Sequence, residues 1–241
     1  MLSEATGREV EVVDVPDYLA VVEAIRSDHV DIGIMSGFPS ALAVNTGEVD
    51  ALLAWPGAQD PVSTCVVLEG SPVQTLEDLR GGTVAFADPA SSSGYFMPVH
   101  MLDAAGLKRG VDYEHIFAGG HEGSFAALEQ GQVDAACTAV MLTQLGAPIF
   151  PFEDGEWRAV GESAAMPVSM TVLSRQSLDP ETAALIQDGL QKVFSPENAE
   201  ALGALGAGTI GVETIVNPDK SIFQPFVDIA AVADVDISDL G

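Results

Sequence analysis

The chain has 241 residues, enough to bury a real core as one domain or as two small lobes, and its 47% hydrophobic content excludes a disordered protein. Its 36 acidic and 9 basic residues give a net charge of −27, which makes nucleic acid and anionic membrane poor partners. No apolar run approaches the length of a membrane span.

Residues 1–7 lack the basic and apolar regions of a signal peptide and read as the last turn of a helix, closed by Gly7. Residues 9–14 alternate polar and apolar side chains and are predicted to form a strand. Asp17 and Tyr18 open a helix that runs to Ser27, with Leu19, Val22 and Ile25 on one face. Residues 30–35 are the next strand, ending in Ser36 and Gly37. This strand–helix–strand order implies a parallel sheet with a right-handed crossover, in which binding groups gather at the carboxyl ends of strands. Tyr18 and the loop from Ser36 to Ser40 both fall at such ends. A short strand is predicted over 50–55, with Trp55 read as packing. The β-branched run 63–68 is expected to cross between two lobes, and 76–79 reads as a short helical turn.

Residues 82–86, β-branched and aromatic, read as a buried strand, and 96–105 as a helix with Gly106 placed to end it. Ser91, Ser92 and Ser93 sit between them, where strand gives way to helix. The first turn of a helix carries unpaired backbone N–H groups and a partial positive charge. Three small hydroxyls beside it make an anion site without Lys or Arg. A lone serine there would be an N-cap; the run of three leaves both a cap and an oxyanion pocket open. In so acidic a chain such a pocket has to rely on backbone dipoles and hydroxyls. After a turn at 110–113, residues 115–117 form a short strand, 119–128 a loop entering a helix with Phe125 and Leu128 inward, and 132–137 a returning strand.

Residues 167–173 make a second β-rich crossing. An amphipathic helix covers 179–194, with Asp179 as N-cap and Pro180 in the first turn. Ser195 opens another through Leu205, and 221–232 is predicted to be helical and to pack on the first lobe. Cys65 and Cys137 fit no metal-binding spacing. They are either two buried small hydrophobes or a disulfide, and the latter requires an exported location.

Residues 79–98, with Asp88-Pro-Ala-Ser-Ser-Ser-Gly-Tyr-Phe-Met-Pro98 at their centre, resemble the Asp-Pro-x-Ser-Thr-Ser-Gly-x-x-x-Pro segment of the phosphate, phosphite and phosphonate-binding proteins of ABC importers. Ser92 stands where that family often has Thr and keeps the hydroxyl. His121, Ser124 and Val133-Asp134-Ala135 match the family's Ser-His-x-x-Ser-x-x-Ala-Val-x-x-Gly-x-Val-Asp-Ala. The resemblance extends over most of the chain. It implies an α/β, two-lobed periplasmic-binding-protein-like fold of type II whose cleft closes on ligand. Lobe one is then 1–67 with 168–241, and lobe two is 68–167. The resemblance also implies that a leading strand and helix are missing ahead of Met1.

The site implied by the resemblance has Ser91, Ser92 and Ser93 along one wall, His121 bonding a phosphoryl oxygen, and Tyr18 closing over the ligand. Ser36 or Ser40 offers a hydroxyl, or serves as a turn residue, where the family usually has Gly-Pro and an aromatic. Residues 138–141 lack the carboxylate the family often carries there, which points to a small or neutral-tailed ligand rather than an aminoalkylphosphonate. The implied function is capture of phosphonate, phosphite or phosphate for an ABC permease by an extracytoplasmic monomer, without cofactor, metal, nucleic acid or catalysis. A sulfonate or other oxyanion, or a ligand-sensing domain, is the alternative. An enzyme on this fold would need an acid to orient His121 beside the serines, and none is evident.

Overall fold

The computed structural model describes residues 1–57, 61–203, 206 and 209–234. The described residues fall into two compact units, one built from 1–57 and 167–225 and the other from 61–166 and 226–234. Each carries its own sheet.

In the first unit the helices are α1 (Leu2–Thr6), α2 (Tyr18–Arg26), α3 (Gly37–Asn45), α6 (Pro180–Val193) and α7 (Ala199–Leu202). The strands are β1 (Ile32–Ser36), β2 (Val49–Pro56), β8 (Val168–Arg175) and β9 (Ile215–Val216), in the order β1-β8-β2-β9. β8 pairs antiparallel with both β1 and β2, so those two run parallel to each other across it. Gly7 closes α1 in the left-handed conformation, as its position at the helix end predicts. The Asp17 side chain accepts from Ala20 N at 2.8 Å and starts α2, and Asp179 accepts from Thr182 N at 3.0 Å and starts α6. The core joins Leu52, Leu53, Trp55, Met170, Val172, Leu190, Val193 and Phe194. Trp55 is buried with its ring 4.9 Å from that of Phe194, the packing role expected of it.

Several expectations fail in this unit. Residues 9–14 form no strand, and Val12 is 88% exposed. Alternation makes a strand only where a neighbouring ladder accepts it, and among the described residues β1 pairs with β8 alone. The crossover expected from that strand is therefore absent, and Leu19 faces solvent while Val22 and Ile25 are buried. The segment expected as a second crossing, 167–173, is the central strand β8. After Ser195 the chain makes a 3₁₀ turn, Pro196–Asn198, followed by the short helix α7, which ends at Leu202. Leu205 lies outside the described residues.

In the second unit the strands are β3 (Ser63–Leu68), β4 (Thr83–Phe86), β5 (Glu114–Phe117), β6 (Ala135–Ala139) and β7 (Trp157–Val160), in the order β5-β4-β6-β3-β7. The helices are α4 (Met97–Ala104), α5 (His121–Glu129) and α8 (Pro225–Val232). β4 runs parallel to β5 and β6, while β3 runs antiparallel to β6 and β7. The run 63–68 is thus no crossing: flanked on both sides and buried from Ser63 to Val67, it is an interior strand. Cys65 stands directly opposite Cys137 in that ladder and the two are bonded, so the disulfide reading holds. The core gathers Val66, Ala85, Phe125, Leu128, Ala136 and Phe150. The final helix belongs here rather than to the first unit, because Arg109 Nη2 donates to the Ala233 carbonyl at 2.6 Å and Phe226 is fully buried.

Candidate anion-binding site

The topology of the second sheet places the site. In a parallel arrangement the loops leaving the carboxyl ends of neighbouring strands meet at one edge. β4 leads to Ser91–Ser93, β5 leads to His121, and β6 ends in Thr138 and Ala139.

After β4 the chain turns at Asp88, whose carboxylate accepts from Ala90 N at 2.7 Å, and enters a π-helical turn, Ser92–Phe96. Phe96 N donates to Ser91 O at 3.1 Å, the wide bond of that turn. Pro98 explains part of this geometry. It has no N–H to give to the Gly94 carbonyl, and Ala87 N bonds that carbonyl instead at 3.0 Å. The turn is thereby folded back on the end of β4. Ser91 Oγ accepts from Gly94 N at 3.0 Å, so Ser91 is a helix cap, the more ordinary of its two readings. A hydroxyl that accepts keeps its own proton, and Ser91 still has a hydrogen to donate. Ser92 is 1% exposed and Ser93 half-buried.

The second loop is stitched to the first. Ala118 N donates to Phe86 O at 2.9 Å, and Gly120 N to Ala87 O at 2.9 Å. Gly120 has φ 146°, a conformation that only glycine adopts comfortably, and it hands the chain directly to α5. His121 is the first residue of that helix. Its ring packs against the serine turn so closely that a Cβ added to Gly94 would lie 3.0 Å from His121 Cε1 and 2.5 Å from the Ala87 Cβ. Gly94 is what lets the two loops meet. Burial pushes the imidazole pKa down to about 4, so His121 is neutral near pH 7. The Thr138 hydroxyl lies 2.9 Å from His121 Nδ1. Ser124, which matched the family pattern, turns its hydroxyl to the Gly120 carbonyl at 3.1 Å and secures the start of α5.

The four cations of this unit are engaged elsewhere. Arg80 bonds Asp112 and the Gly106 carbonyl, and Lys108 bonds Asp103. Arg109 holds the Ala233 carbonyl and stacks over Tyr95, and Arg158 bonds the carbonyls of Glu69, Ser71 and Val73. The donors gathered at the strand ends are hydroxyls, an imidazole and backbone N–H groups, which suit an anion without any full positive charge.

The structure thus brings Ser91, Ser92, Ser93 and His121 together. Tyr18 and Ser36 lie in the first unit: Tyr18 is the first residue of α2, and Ser36 ends β1 at the cap position of α3. Ser40 turns its hydroxyl onto the Ser36 carbonyl at 2.8 Å. Thr138 was missed as a participant. The only sequence signal was its place at the end of the strand following Val133-Asp134-Ala135, and a threonine inside a strand is ordinarily packing.

The family model described as "ABC transporter, phosphonate, periplasmic substrate-binding protein" matches residues 1–219. Over 150 residues the chain is 33% identical to the phosphate-import protein PhnD of Mycolicibacterium smegmatis, covering 56% of this chain and 46% of that protein. Over 142 residues it is 28% identical to the phosphonates-binding periplasmic protein of Escherichia coli, covering 56% and 42%. The matches thus span less than half the length of either relative. The structure of PhnD1 from Prochlorococcus marinus in complex with methylphosphonate superposes with a TM-score of 0.78, at 16% identity, over 97% of this chain and 89% of that one. That likeness fixes the fold, a type II periplasmic binding protein. With the family model spanning most of its length, the chain belongs to the periplasmic substrate-binding proteins of phosphonate ABC transporters.

Proposed function

We propose that the chain captures a phosphonate, phosphite or phosphate and delivers it to the permease of an ABC importer. The observation that carries this reading is the meeting of the Ser91–Ser93 turn with His121 at adjoining strand ends, closed up by Gly94. A tetrahedral oxyanion presents acceptors in several directions, and these groups are donors converging from two helix starts. Tyr18 and Ser36 are proposed as ligand contacts from the first unit. The ligand is small or neutral-tailed, because Thr138 and the residues after it supply no carboxylate for an ammonium group. Nothing in the role requires a bond to be made or broken, so no catalysis is assigned. The protein works as a monomer outside the cytoplasm, a placement supported by the Cys65–Cys137 bridge, since such bonds persist in oxidising compartments.

The test is a thermal-shift screen followed by calorimetry with phosphate, phosphite, methylphosphonate, 2-aminoethylphosphonate, sulfate and taurine. A ligand at about 100 times its Kd adds ~2.7 kcal/mol of stability and stands out clearly. Stabilisation by one of the first three is the expected result. A response confined to sulfate or taurine would move the assignment to sulfur oxyanions, and silence across the panel would end it.

A further inference from the structure

The contact between Thr138 and His121 settles more than the position of the ring. A neutral imidazole has one N–H and one bare nitrogen, and the partner of one nitrogen decides which is which. Two arrangements fit the 2.9 Å contact. Either the threonine hydroxyl donates to a bare Nδ1, leaving the proton on Nε2, or it accepts from Nδ1–H, leaving Nε2 bare.

The two differ in what they leave unsatisfied. Thr138 is fully buried, and among the described residues its oxygen has no other hydrogen-bond partner. If it accepted from His121, its own hydrogen would be buried with no acceptor, which is costly. The bare Nε2 would also set a lone pair against any oxyanion. If it donates, the hydroxyl hydrogen is satisfied and Nε2 carries a proton. Cε1, which packs against the serine turn at Gly94, is flanked by both ring nitrogens, and with Nδ1 turned to Thr138 it is Nε2 that is left for a ligand. β6 fixes the hydroxyl in place: Thr138 pairs with Thr64, and the residue before it is bridged to Cys65.

We infer that Thr138 is a positioning residue that donates to His121 Nδ1 and holds the imidazole in its Nε2–H tautomer, which makes His121 a hydrogen-bond donor to an oxyanion. The ligand-facing half of this statement rests on the function proposed above, whereas the tautomer belongs to the unliganded protein. The specificity it gives follows from the chemistry. A neutral donor fixed in one direction favours ligands that present a bare oxygen at that point and disfavours those that present a hydroxyl there.

The experiment uses ¹⁵N-histidine-labelled protein, with two-bond proton–nitrogen correlation spectra at pH 7.5. His121→Gln identifies the His121 signals among the four histidines. The parent is expected to show His121 with a protonated Nε2 and a bare Nδ1. Thr138→Ser should keep that pattern, and Thr138→Val should lose it. Calorimetry with phosphate and methylphosphonate should show parent-like affinity in the serine variant and about tenfold weaker binding in the valine variant, ~1.4 kcal/mol. His121 protonated on Nδ1 in the parent would overturn the inference, as would an unchanged tautomer in Thr138→Val. Should Thr138→Val not fold, the parent and Thr138→Ser spectra still decide. A parent with the expected tautomer that binds neither anion would refute the proposed function while leaving the tautomer assignment standing.

Discussion

At the scale of single residues, the serine turn shows a hydroxyl that caps a backbone N–H and still has a hydrogen to donate. Ser91 caps Gly94 N and keeps a proton, whereas Ser92 is nearly sealed from solvent at the opening of the turn. A hydrogen bond to a charged group contributes about 1.5–3 kcal/mol. Ser92→Ala should therefore weaken oxyanion binding roughly 10- to 100-fold, while Ser195→Ala, at the 3₁₀ turn of the first unit, should leave it unchanged. Calorimetric titration checks both, and parent-like binding by Ser92→Ala would reduce the serine run to a helix cap. His121 makes a separate prediction about pH. Its folded pKa near 4 lies below the ~6.5 of an unfolded histidine, so the unfolded chain holds the proton more tightly. The stability this gives is complete above about pH 6.5 and is lost as pH falls through about 4. His121→Gln should show a flatter decline in unfolding midpoint over that window than the parent. Equal slopes would mean that the imidazole is not buried in its neutral form.

At the scale of elements, the Cys65–Cys137 bridge joins two interior strands across 72 positions of sequence. Closing a loop of that size stabilises by about 2–5 kcal/mol. The Cys65→Ala/Cys137→Ala protein should lose a comparable amount in urea unfolding, and an unchanged midpoint would count against any structural role for the bridge. The same two strands mark how far the sequence could be read. β4, α5 and α6 were legible because each carries its own signal: a β-branched run, a glycine before the helix, an Asp-Pro start. β3 was misread because a strand apolar on both faces looks alike whether it spans two lobes or lies inside one sheet. Residues 9–14 were misread for the converse reason, since alternation is a property of one segment and pairing a property of two. At the candidate site, Ser91–Ser93 and His121 could be singled out through their motif and their places at strand ends. Thr138 was not, because its role exists only once the end of β6 lies against the start of α5.

At the scale of the whole molecule, the chain carries 36 acidic residues although its proposed ligand is itself an anion. The second unit does not offset them with cations at the site, because Arg80, Lys108, Arg109 and Arg158 are engaged elsewhere. This separates the approach of a ligand from its retention. An oxyanion diffusing toward a body of charge −27 meets long-range repulsion, which added salt screens within about 10 Å at 0.1 M. Once seated it is held by neutral dipoles over short distances, where screening changes little. Sodium chloride should therefore raise the association rate and leave the dissociation rate nearly flat, the reverse of a pocket lined with lysine or arginine. Stopped-flow measurements at several salt concentrations would show this, and an association rate that falls with salt would point to an attractive charge at the entrance. On the function proposed above, the acidic surface makes ionic strength an accelerator of ligand capture: such a protein would load faster in brine than in fresh water.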